Sequence, residues 1–361
     1  MASIQSYLFL LLLSLFPFLA ALAQAPSSPS VRPIRDSVGF CWSAKEMDNF
    51  MAFLQATDSD AVAVTGRMVG AISVHDDYLY AGRVYYPLFK HIHTKEVIIF
   101  GVTHGSVRKE MGPQRDQLIL DAYKNWQGPY GDIAVSSLRE EITAKLNPGD
   151  FKISNQAHRI EHSIEAMLPF LQYYNRELQI TPIMVPQMTN EQVTAVSERL
   201  ARVIAEYCRA HHLEPGKDIF FLISNDANHY GEDFANTPYG MDERAHRIAT
   251  ENDRNIINKK LTGSVSLQGI RELTACIWPD STKKDIPLWC GRYPIAFGLM
   301  TVARVVRALN NVDMSGELLR YSDSFTEKVL PFKGSAMGLT AVFSYRHWCG
   351  WFTEAFTVPD K

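Results

Sequence analysis

Short apolar runs end in polar, chemistry-bearing residues, and helical patterns separate them; this alternation constrains the fold most. Residues 71–78, "AISVHDDY", begin as a strand and then give His75, Asp76 and Asp77. "EVIIFGVTHG" is apolar from Val97 to Val102 and then gives His104. "DIFFLISNDANHYG" is apolar from Ile219 to Ile223 and then gives Asp226 and His229. "LQITPIMVP" and "GLTAVFSY" read as further strands. Val193, Val196, Leu200, Val203, Ile204 and Tyr207 recur at helical spacing, and Pro215-Gly216 follows as a stop. Asp242 to Leu261 reads as a charged helix, and "YPIAFGLMTVARVVRAL" as a buried one. Strands alternating with helices predict an α/β chain, with a central mixed or parallel sheet covered by helices on both faces. In such sheets the ligand crevice lies beyond the carboxyl ends of the strands. His75, His104, Asp226 and His229 are thereby expected at one site.

Composition supports a sizeable core, at 46% hydrophobic and 21% charged. A net charge of −3 without a basic block removes nucleic acid from the expected partners. Residues 1–23 hold an apolar run closing in Ala21-Leu22-Ala23, and the expectation is a signal peptide cut before Gln24. An uncleaved membrane anchor is the competing reading; the run is short and Pro17 interrupts it. Export to the periplasm or the extracellular space follows, with no transmembrane segment once the signal is gone. Residues 24–36 read as a Pro/Ser-rich tether, residues 37–350 as a single domain and residues 351–361 as a C-terminal tail. The five cysteines, Cys41, Cys208, Cys276, Cys290 and Cys349, are widely spaced and form no CxxC pair. That excludes a zinc ribbon and a thioredoxin motif.

"HRIEHSIEAMLPF" contains His158, Glu161 and His162 in the H-x-x-E-H pattern of some zinc peptidases. A helix through this stretch would set residues 158, 161, 162 and 165 on one face and aliphatic residues on the other. A zinc metallopeptidase would use His158 and His162 as ligands and Glu161 as base, and nothing in the sequence singles out a third ligand.

"EHSIEAMLPF" also resembles the E-H-S-I-E-x-x-L-P-[YF] signature of the Memo-like family, also called AmmeMemoRadiSam system protein B. "VHDDYLYAG", "IIFGVTHG", "LISNDANHYG", "CGRYPIAFGL" and "SAMGLTAVF" resemble further motifs of that family in the same order. The resemblance implies a fold similar to class III extradiol ring-cleavage dioxygenases. It implies a mononuclear iron or copper site at His75, His104 and Cys290, lined by His162, Asp226 and His229. Asp226 is then expected to orient a ligand, and His229 or His162 to move protons. Glu165 and Tyr78 are further candidates for the pocket. Cys290 precedes a helix and stands near Arg292, which favours a thiolate. The chain departs from the family at Asp76-Asp77, at Gly105 and at Ala227, and either aspartate is a candidate replacement ligand. The implied activity is a metal-dependent redox enzyme or oxygenase on a small aromatic or phenolic substrate. A non-catalytic protein that binds metal, or a partner such as a peptide, is the alternative, with the zinc peptidase behind it.

Overall fold

A computed structural model describes residues 30–58 and 64–360. The expected signal peptide lies outside the described residues, as does the tether up to residue 29.

Six strands form the centre of one mixed sheet: β1 (Arg67–Ser73), β2 (Glu96–Val102), β3 (Gln179–Val185), β4 (Ile219–Ser224), β5 (Met314–Asp323) and β6 (His347–Val358). Their spatial order is β3-β2-β4-β1-β6-β5. The first four run parallel, and β6 lies antiparallel to both β1 and β5. Short strands extend both edges: Val31–Arg32, Asn125–Trp126 and Ile133–Val135 beyond β3, and Gly263–Val265 beyond β5.

The apolar runs are continuous because the sheet is buried on both faces. In β2, Val97 and Ile99 enter the core on one side, while Ile98 and Phe100 enter the core on the other. The first core takes helix α1 (Tyr78–Phe89), which carries Tyr78, Val84, Tyr85 and Phe89. The second takes α4 (Asn190–His211) and α5 (Arg292–Asn310). Two shorter helices, α2 (Gly105–Met111) and α3 (Asn155–Ile160), matter for the site. Thr189 and Gln192 form a reciprocal capping box that starts α4, and His212 ends it in the left-handed conformation. All six residues expected on its buried face are buried. The "YPIAFGL" segment is, as expected, a buried helix. No helix among the described residues is long and apolar enough to cross a membrane.

Four expectations are corrected. Residues 31–36 are no loose tether: Val31–Arg32 pairs with Asn125–Trp126, and the Arg32 side chain is buried against Glu165. Residues 351–358 are no tail but most of β6, a central strand. "GLTAVFSY" is not a strand: Val342 is 84% exposed, and only Ser344 makes an isolated bridge, to His347. Finally, the helix through the H-x-x-E-H stretch ends early. Its last residue is Ile160, and Glu161 is extended, with φ −85 and ψ 139.

Candidate metal centre

β2, β4 and β1 are parallel neighbours, so their carboxyl ends share one edge of the sheet. His104 and His75 each stand two residues beyond the ends of β2 and β1, and Asp226 two residues beyond β4. The chain also returns Cys290 to this edge. Backbone N–H of Asp226 donates to its Sγ at 3.0 Å, and its own N–H donates to Asp226 O at 3.3 Å. Gly291 permits that approach, because a Cβ there would lie 2.4 Å from Ser224 O. Gly101 similarly lets residues 163–164 cross β2, where a Cβ would meet Ile164 at 2.4 Å.

The hydrogen bonds define which ring nitrogens are free. The Ser224 hydroxyl donates to Ser163 O at 2.8 Å, so it accepts from His75 Nδ1 at 2.7 Å. His75 Nε2 is then bare, 3.5 Å from Cys290 Sγ and 3.4 Å from Asp226 Oδ2. His104 Nδ1 lies 2.7 Å from Glu161 Oε1, which leaves its Nε2 bare as well. His229 Nδ1 donates to Ala227 O at 3.1 Å, a third ring with a free Nε2. His162 stacks on His104, with centroids 4.8 Å apart and planes 5° apart. The His75 and His104 centroids are 5.1 Å apart.

Burial, then the charge of neighbouring His104, depresses the His75 pKa strongly. The same two causes bring His162 to about 4. Burial likewise lowers His229 to about 4, against its bond to Ala227 O. These imidazoles are neutral at pH 7, the form that binds metal. Burial alone would raise Glu161, but the His104 and His162 rings and the His104 N–H hold it well below the usual range. Burial, and then Asp76, pushes Asp226 well up. Cys290 is also pushed well up, by burial and then by Asp226. Arg292 and the Asp226 N–H only partly oppose that. The expectation of a free thiolate at Cys290 is therefore corrected: without a metal it is a thiol.

Two sets of donors close within 4.8 Å, one of His75, His104 and His162, the other of His75, Asp226 and Cys290. His75 belongs to both, and the expected trio of His75, His104 and Cys290 straddles them. Imidazole nitrogens with a thiol and a carboxyl beside them fit iron or copper. The remaining candidates have other partners. His158 is buried on the far side of its helix end, with Nε2 2.9 Å from Ile119 O, and does not converge with His162 on a metal. That geometry removes the zinc peptidase reading. Glu165 pairs with Arg32 and accepts from the Arg35 and Asp36 N–H groups, so it anchors the N-terminal segment rather than lining the pocket. Tyr78 is buried and donates to Ala166 O. Asp76 accepts from Trp351 Nε1 at 2.9 Å, and Asp77 from Thr340 N and Oγ1. Both aspartates are thus tied to structural donors rather than grouped with the imidazoles. Sequence reasoning missed Ser224 as the partner of His75, and gave Glu161 only the role of a peptidase base.

Two cavities open onto these groups, and both are lined by His104, His229 and Phe234. One, about 370 Å³, adds Cys290, Arg108 and Arg292. The other, about 580 Å³, adds His75, His162, Asp36 and Asp226.

An α/β protein with imidazoles gathered at parallel strand ends belongs to the class of candidate metal proteins. A family model described as Memo-like protein matches residues 42–330, and the chain belongs to that family. A MEMO1 family protein of Thermococcus kodakarensis is 29% identical over 219 residues, covering 57% of this chain and 69% of the relative. One of Methanosarcina barkeri is 26% identical over 259 residues, covering 71% and 80%. One of Metallosphaera sedula is 32% identical over 177 residues, covering 47% and 57%.

Proposed function

We propose that this chain binds a single iron or copper ion through His75, His104 and Cys290 and uses it as a redox enzyme on a small substrate. The observation that carries this reading is the pairing of Nδ1 of His75 with Ser224 and of His104 with Glu161. Each bond fixes a ring with Nε2 bare, the arrangement that partners of metal-ligating histidines produce. When bound, iron or copper supplies one-electron redox chemistry.

The chain's own groups do the rest. Glu161 orients His104 and balances positive charge placed there. His229 presents a neutral nitrogen to both cavities and accepts a proton or hydrogen bond from a substrate hydroxyl. Asp226, beside His75 and Cys290, is a carboxyl whose proton or charge answers that of the ligands. The cavity of about 370 Å³ favours an enzyme over a binding protein without turnover, since it offers space for a small molecule beside the same rings.

Metal stoichiometry and affinity, measured anaerobically on single variants, test the reading. The wild type should bind one ion per chain, and His75→Ala or His104→Ala should abolish binding. Cys290→Ser should cost more affinity for Cu(I) than for Fe(II), because hydroxyl replaces thiolate poorly. Wild-type affinity in Cys290→Ser, with loss in His162→Ala, would give the third position to His162. We also propose export, on the strength of the apolar run before Ala23. N-terminal sequencing should then begin at Gln24; a mature chain starting at Met1 overturns it.

A further inference from the structure

The smaller cavity has a chemistry that the metal ligands do not account for. Its walls are apolar at Val102, Val185, Leu288 and Pro294, and two guanidinium groups, Arg108 and Arg292, stand among them. Several buried or half-buried arginines elsewhere are matched by carboxylates: Arg32 by Glu165, Arg139 by Asp121, Arg320 by Glu327. These two form no ion pair among the described residues. Arg108 donates to Thr103 O, and Arg292 Nη1 donates to Trp289 O at 3.0 Å, both neutral acceptors. Arg292 Nε is buried with no hydrogen-bond partner at all. The two cations are close enough to repel, and burial and Arg292 together lower the Arg108 pKa. Arg292, half-buried with an unpartnered Nε, is costly to leave without a counter-charge, and the exposed Arg108 adds a second cation to the same cavity, so an anion there would satisfy both.

The opposite cavity has the reverse character. Asp36, Asp76, Asp77 and Asp226 line it, with Arg35 the one arginine or lysine among its lining residues. His104 and His229 stand at the junction. The cleft is therefore polarised, cationic on one side of the imidazoles and acidic on the other.

We propose that the Arg108–Arg292 cavity is the substrate subsite for an organic carboxylate, whose apolar body reaches back to His104, His229 and Cys290. This deepens the proposed function and rests on it for the identity of the reacting centre, but not for the binding itself. Guanidinium groups take a planar carboxylate through paired N–H donors, and the neighbouring cavity offers no comparable pair of cations, so the ligand enters in one orientation. The volume of about 370 Å³ admits a small aromatic or aliphatic acid.

Calorimetric titration of the full chain, as purified and again after chelation, tests this with benzoate, its neutral isostere benzamide, and inorganic phosphate. Benzoate should bind at least about tenfold more tightly than benzamide, since charge-assisted bonds carry that margin. Arg292→Gln and Arg108→Gln should each weaken benzoate about tenfold, Arg108→Lys should lose less, and Lys109→Gln, on the same short helix, should change nothing. Circular dichroism on each variant separates lost binding from lost fold. Equal binding of benzoate and benzamide, or wild-type affinity in the folded Arg108→Gln/Arg292→Gln double variant, overturns the proposal. Tighter binding of phosphate than of benzoate overturns the carboxylate assignment. Because the chelated protein is also titrated, failure here is distinguishable from failure of the metal reading, which is decided by stoichiometry.

Discussion

Glu161 holds His104 at two points: the ring Nδ1 lies 2.7 Å from Oε1, and the His104 backbone N–H donates to Oε2 at 2.9 Å. The same carboxylate accepts the N–H groups of His162 and Ser163 through Oε1. The early end of α3 makes this possible, because an extended Glu161 reaches across to β2 where a helical one would not. Glu161→Gln keeps the shape but loses the charge. Metal affinity should fall about 10–100-fold while the fold survives, as expected for the partner of a ligating histidine. Anaerobic metal titration checks this, and unchanged affinity would remove Glu161 from the site.

His158→Ala should do the opposite. Its ring is fully buried beside Trp126, with a bond from Nε2 to the Ile119 carbonyl. Deleting it leaves a cavity and an unpaired carbonyl, at a cost of about 2–4 kcal/mol. Urea unfolding should show that loss, with metal stoichiometry unchanged.

Arg32→Ala should destabilise the protein by about 3–5 kcal/mol, because it leaves Glu165 buried without its cation. Arg32 also lies 4.3 Å over the Trp126 ring and donates to His158 O. The double variant Arg32→Ala/Glu165→Gln should recover part of the loss. Chemical denaturation of both measures the difference; equal stability of wild type and Arg32→Ala would mean that residues 31–36 are dispensable.

Glu354 predicts a pH dependence. Burial raises its pKa to about 8, one oxygen accepts from Thr262 Oγ1 at 3.1 Å, and the other has no partner. The native state keeps a proton that the unfolded chain releases above about pH 4.3. Stability therefore falls as pH rises from there, and the penalty is complete above the folded value. Glu354→Gln should flatten this slope and raise the melting temperature most at pH 8 and above. Thermal melts from pH 5 to 9 test it, and a constant offset between the two curves would contradict it.

The parallel core was legible because both-face burial writes itself as unbroken apolar runs, as at Val97–Val102 and Ile219–Ile223. His75, His104 and Asp226 were legible because each follows such a run. β6 was not, since Glu354 and Gly350 interrupt "HWCGWFTEAFTV" and mask its aromatic and β-branched content. The break after Ile160 was hidden too: helical periodicity continues through Ile164 and Met167, although the backbone does not. Arg108 and Arg292 could not be linked from sequence, because only the fold brings α2 and the start of α5 to one cavity.

Trp351 in β6 donates to Asp76, the residue beside His75, across 275 positions of chain. β6 also separates β1 from β5, so the sheet stays divided until this last strand inserts. During synthesis, His75 emerges early and waits for the strand that secures its neighbour. A chain cut short of β6 would keep the pairing of β1 to β4 but leave Asp76 without its Trp351 donor, so the support of the site's first strand end is the last part of the fold to arrive.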